Sequence, residues 1–222
     1  MIIVIDIILS VILTVIGYIA VCYYINNVKW NSLNPGVIKV NSASKIFYLI
    51  SAFAACGLLI ALFQMVYKID LLTQLRLLTL LLVIFPIAAV DYRLQKVPNQ
   101  FLITALIFRC VFYVLEFVFY GAEVLGTLWD GILGAVVISV FFLIMLLVFK
   151  NSIGMGDIKL FAVMGLYQGL WGAVNSVFFS LLVSFFLSVV LLLLRRKSRK
   201  DTISFAPSIL IGTIIAISLT GM

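Results

Sequence analysis

Long apolar runs separated by short polar links set the pattern of this chain. A helix needs about 20 apolar residues to cross a bilayer. Runs near that length occupy 2–25, 44–67, 71–90, 99–120, 124–149, 173–194 and 204–219, with a shorter one at 158–170. The first has no basic residue ahead of it and no small-residue cleavage pattern behind it, so it is expected to be retained as a helix. The links carry breaker chemistry. Asn34-Pro35-Gly36 is a turn, Pro98 suits the start of a new helix, and the sixth run should turn near Gly169 and Gly172. The pattern predicts an all-α polytopic membrane protein of about eight transmembrane helices, folded as one domain over 1–222. No internal repeat is evident, which speaks against an inverted-repeat transporter.

Composition agrees. The chain is 65% hydrophobic and 10% charged, whereas a soluble domain is about half apolar and a quarter charged. A net charge of +7 would in a soluble protein raise nucleic acid as a partner. Here the basic residues lie in alternate short links, which is a mark of membrane topology. Links 26–44, 91–98, 150–157 and 195–203 hold Lys29, Lys39, Arg93, Lys96, Lys150, Arg195, Arg196, Lys197, Arg199 and Lys200. The opposite set holds Lys68, Asp70 and Glu123. The positive-inside rule then places the basic links in the cytoplasm and both termini on the outer side. Lipid is the expected surrounding; nucleic acid is not an expected partner.

The chain contains no histidine, which excludes a Ser-His or Cys-His nucleophile pair and a His-bound zinc hydrolase. Cys22, Cys56 and Cys110 are isolated in apolar runs, so neither a thiol redox pair nor a metal clip is visible, and no metal is expected. An aspartate in such a chain is costly and marks function. Asp91 closes the third run and Asp157 opens the sixth, at one membrane boundary. Glu116 lies about 25 Å from Asn99 at a 1.5 Å rise per residue, across the membrane. Asp6, Asp70, Glu123 and Asp130 also map to the outer half, and Asp201 belongs to a basic link. Two carboxylates held together share a proton, so one can activate water while the other protonates a leaving amine. The plainer alternative is that each caps a helix or pairs with Arg93, Lys96 or Lys159.

Gly154 and Gly156 give the backbone around Asp157 conformations closed to other residues, room for a substrate, and freedom to act as a gate. They do not form a phosphate loop, because no GK[ST] follows. Arg109 and Glu116 share one helix face and suit a structural network between helices. Gly165 and Gly169 are a small-xxx-small pair for close packing. Tyr18, Tyr23, Tyr24, Trp30 and Trp129 read as interfacial anchors.

Together these residues resemble a known family. Asp91-Tyr92-Arg93-Leu94-Gln95-Lys96-Val97-Pro98-Asn99 is similar to the first catalytic motif of type IV prepilin peptidases, an aspartate followed by hydrophobic-Pro-Asn. Gly154-Met155-Gly156-Asp157-Ile158-Lys159-Leu160 matches their second, G-x-G-D-x-K-L, and Phe205-Ala206-Pro207 resembles their closing Phe-small-Pro segment. The likeness runs from about Ser44 onward. It implies a GxGD aspartic endopeptidase of the bacterial plasma membrane with Asp91 and Asp157 as the dyad. Gly154, Gly156, Lys159, Pro98, Asn99 and Pro207 would bind substrate or shape its loops. Such enzymes cut the basic leader from prepilins and pseudopilins at the cytoplasmic face, and proteolysis needs no cofactor. Many bacterial members also methylate the new N-terminus, and S-adenosylmethionine enters only with that second activity. Long members carry two zinc-binding CxxC pairs near the N-terminus, whereas segment 26–44 has no cysteine. The chain thus resembles a compact member. Two readings compete: a presenilin-like protease that cuts within substrate helices, and a small proton- or cation-coupled transporter, which would place acids at mid-bilayer on a broken helix.

Overall fold

The computed structural model describes residue 15 and residues 67–149, 154–194 and 204–221. The runs at 2–25 and 44–67, the link between them, Lys150 and the basic link at 195–203 lie almost wholly outside the described residues. So do Cys22, Cys56, Tyr18, Tyr23, Tyr24 and Trp30. Among the described residues every regular element is helical. They are α1 (Leu71–Leu94), α2 (Asn99–Tyr120), α3 (Val124–Val148), α4 (Met155–Leu193) and α5 (Ala206–Thr220), with one 3-10 turn at Gly121–Glu123.

The element boundaries follow from local chemistry. Asp70 caps α1 by accepting the Leu72 amide at 3.0 Å, the usual service of an aspartate at that position. At the other end Gln95 takes a left-handed conformation and closes the helix. Pro98, fixed in extended geometry, precedes the first turn of α2. Pro86 lies inside α1, and such a break in the backbone ladder is tolerated where neighbouring helices cover it. Among the described residues three helical stretches, Leu71–Tyr92, Asn99–Val148 (α2 and α3 together) and Met155–Leu193, are long and apolar enough to cross a membrane, and α5 is a shorter apolar helix.

Helix α1 is the inner one. Leu80, Leu81, Ile84 and Ile87 are fully shielded, whereas α2 and α3 present Ile107, Val114, Val118, Val136 and Ile144 outward, as lipid-facing helices must. Around α1 the core joins Leu102 and Ala105 of α2, Ile138 and Phe142 of α3, Phe161 and Met164 of α4, and Ile209 of α5. Phe161 stacks on Phe142 at 4.6 Å and meets Phe205 edge-on at 5.8 Å. One aromatic column thus ties α3, α4 and the start of α5 at the end of the bundle where Asp157 lies.

A straight helix of 39 residues would be almost 60 Å long, about twice the hydrocarbon thickness. Helix α4 is instead broken at Gly169, where φ is 73° and ψ is −175°, a region essentially reserved for glycine. The turn expected at Gly169 and Gly172 therefore begins on the first of them, with the helical halves 155–168 and 170–193 on either side. The small-residue pair also packs as expected. A side chain on Gly165 would sit 2.4 Å from the Ala135 amide, and one on Gly134 would sit 2.8 Å from Gly169. Here α3 and α4 touch backbone to backbone.

Candidate active site

Asp91 lies in the last full turn of α1, not beyond it, and is 5% exposed. Its Oδ2 accepts the backbone N–H of Ala206 at 3.0 Å, the first residue of α5. The aspartate therefore does cap a helix, as the plainer alternative supposes, but a helix that follows it by more than a hundred residues. The site consequence is geometric. The Phe205-Ala206-Pro207 segment places a small, fully buried residue against Asp91, and Pro207 gives up an amide that the first turn of α5 does not need.

Asp157 is half-buried in the first turn of α4. Its own amide donates to the Gly154 carbonyl at 3.0 Å. The segment 154–157 is thus the beginning of a helix rather than a free loop, because α4 starts at Met155. A side chain on Gly154 would lie 3.1 Å from the Asp157 carboxylate. One on Gly156 would lie 2.7 Å from Cβ of Val97. The two glycines have separate roles: Gly154 leaves space beside the carboxylate, and Gly156 lets the turn close onto the segment joining α1 to α2.

That closure sets the turn that carries Asp157 against the segment that follows the Asp91 turn. A second tie lies alongside. Nζ of Lys159 donates to Oδ1 of Asn99 at 3.2 Å, so this lysine joins α4 to the start of α2 instead of pairing with an aspartate. Pro98 is buried next to Val97. Asp91, Pro98, Asn99, Gly154, Gly156, Asp157, Lys159 and Pro207 thus all gather at one end of the bundle.

A model of the type IV leader peptidase family matches residues 76–193, a span that includes both aspartates. The chain belongs to that family. Over 164 residues it is 27% identical to the prepilin leader peptidase/N-methyltransferase of Bacillus subtilis (strain 168), covering 74% of this chain and 60% of the relative. It therefore spans less than two thirds of that relative's length. No solved structure matches it. The Phe205-Ala206-Pro207 segment lies beyond the family match, yet it reaches the matched part through Asp91. A broken helix is what a transporter reading expects, but here the protein itself supplies partners at the break. At Gly169 the freed backbone groups are taken by side chains of the protein itself: Leu170 donates to Asp130 at 3.2 Å, and the Leu166 carbonyl accepts Nε of Arg109 at 2.7 Å.

Three partners in this arrangement are not among the site residues expected from the sequence: the Ala206 amide, Val97 and Asp130. The first two had a signal, since Ala206 precedes Pro207 in the Phe-small-Pro segment and Val97 is the hydrophobic residue before Pro98-Asn99. For Asp130 as a partner of Leu170 the sequence offers none.

Proposed function

We propose that the chain is an aspartic endopeptidase that removes the basic leader from a prepilin or pseudopilin, with Asp91 and Asp157 as its dyad. The observation that supports this most directly is the pairing itself. Two acids from separate helices are brought to one end of the bundle, where Gly156 of the Asp157 turn meets Val97 just beyond the Asp91 turn, although each is costly to place in an apolar chain. In a turnover one carboxylate takes a proton from water, and the water oxygen attacks the scissile carbonyl carbon. The other carboxyl donates its proton to the departing amine as the carbon–nitrogen bond breaks. The proton taken from water restores the dyad to its starting charge.

The expected topology belongs to the same reading. With about eight spans and the basic links inside, the dyad opens toward the cytoplasmic face, where a basic leader would be presented. Proteolysis by this route uses no cofactor. Any methylation of the new N-terminus would need S-adenosylmethionine. Coexpression with a prepilin, read as a size shift on a gel, tests the reading. Asp91→Asn and Asp157→Asn should each stop leader removal while the protein still inserts; normal processing by either variant would overturn the dyad.

A further inference from the structure

Far from the dyad lies a buried ionic cluster that the proposed chemistry does not use. Arg109 and Glu116, both in α2, are 2% and 4% exposed. Nη1 of Arg109 donates to both Glu116 oxygens, at 3.1 and 3.2 Å. The pairing on one face was expected from the sequence. The third member was not: Arg76 of α1 also donates to Glu116, at 3.0 Å. One carboxylate therefore joins two arginines from different helices.

Each arginine leads to one aspartate-bearing helix. Arg76 is on α1, the helix of Asp91. Arg109 reaches α4, the helix of Asp157, through the Leu166 carbonyl, with Tyr113 donating to the same oxygen at 3.3 Å. In an unbroken helix that carbonyl would accept the Leu170 amide, which here is taken by Asp130. Gly131 leaves the space this needs, since a side chain there would lie 2.6 Å from the Tyr113 hydroxyl. A carbonyl freed inside a membrane must find a donor, and Arg109 is that donor.

We propose that Glu116 is a positioning residue for the dyad. By gripping Arg76 and Arg109 together it fixes how far α4, with its break at Gly169, stands along α1, and so sets the separation of Asp91 and Asp157. The inference rests on the peptidase reading for its purpose, but its geometric part can be judged alone.

Spin labels on Tyr92→Cys and Met155→Cys, both exposed and one beside each aspartate-bearing turn, report the separation by electron paramagnetic resonance after the native cysteines are replaced. Glu116→Gln keeps the shape of the side chain and removes its charge. The label separation should shift or broaden, and in the unlabelled enzyme kcat should fall by about 10- to 100-fold with KM nearly unchanged. Glu116→Asp, which keeps the charge, should fall between. If Glu116→Gln does not accumulate in membranes, Arg76→Gln, which leaves the Arg109 pair intact, should give the same signs at smaller size. Unmoved labels would overturn the proposal, as would moved labels with normal kcat or a change confined to KM. A wild-type protein that cleaves no prepilin would sink the peptidase reading, while the label separation would still decide whether Glu116 sets the spacing.

Discussion

The carboxylate of Asp91 and the amide of Ala206 meet at 3.0 Å across 115 positions of sequence. The first amides of any helix lack intrahelical partners, and in α5 one of them is met by a residue proposed to carry the chemistry. Holding α5 and activating water are distinct tasks. Substitution can separate them.

Asp91→Asn retains an oxygen for the Ala206 amide and loses the charge. It should abolish leader removal while leaving thermal stability in detergent close to that of the wild type. Asp91→Ala loses both, and an unsatisfied buried amide costs about 1–3 kcal/mol. This variant should be equally inactive and also unfold at lower temperature. Equal melting of the two would show that the Ala206 bond contributes nothing.

Gly156→Ala should slow processing by about tenfold or more, because the new methyl would lie 2.7 Å from Cβ of Val97 and the Asp157 turn would have to back away. Adding Val97→Gly removes the obstruction and should recover much of the rate. Gly154→Ala meets only the Asp157 carboxylate, at 3.1 Å, and should be milder. Time courses of leader removal for the single and double variants measure this order.

For Lys159 and Asn99 the expectation is coupling. Lys159→Met and Asn99→Ala should each lower kcat/KM, and the double variant should be little worse than either. Their bond is exposed, so the interaction energy in a double-mutant cycle should be only about 0.5–1 kcal/mol. Strict additivity would mean that the two residues act separately.

At the break in α4, Gly169→Ala puts a methyl 1.9 Å from Asp130 at a φ of +73°. It should destabilise the protein by about 3 kcal/mol or more. Arg109→Met leaves Glu116 with Arg76 alone and the Leu166 carbonyl with the Tyr113 hydroxyl alone, at about 1–3 kcal/mol. Both effects should appear as earlier loss of helical circular dichroism on heating. Asp130→Asn keeps an acceptor for Leu170 and should melt near the wild type.

Much of this was legible beforehand, for identifiable reasons. Helix α2 runs over the expected 99–120 because Pro98 before it and Gly121 after it are strong punctuation. The break in α4 was foreseeable because no single span could hold so long an apolar run. Helix α1 continues past its expected end to Leu94, carrying Asp91 inside it, since polar residues at a membrane boundary do not stop a helix by themselves. The partners of Asp91, Glu116 and Asp130 on other helices were not legible. A side chain's type states what bond it needs, and only the folded chain decides which amide or guanidinium supplies it. The expected topology of the first two runs falls outside the described residues.

The Arg76–Glu116–Arg109 cluster also bears on how the protein enters its membrane. Bringing an unpaired arginine into a bilayer costs up to about 2.5–3.5 kcal/mol at the middle of a helix, and less near a boundary such as the start of α1 where Arg76 lies. Arg109 and Glu116 are seven residues apart on α2, so that helix can neutralise itself as it forms. Arg76 has no such partner on its own helix, and its carboxylate arrives only with α2. Helices α1 and α2 should therefore settle into lipid as a pair, which makes the short connection from Gln95 to Pro98 part of the insertion unit as well as a wall of the site.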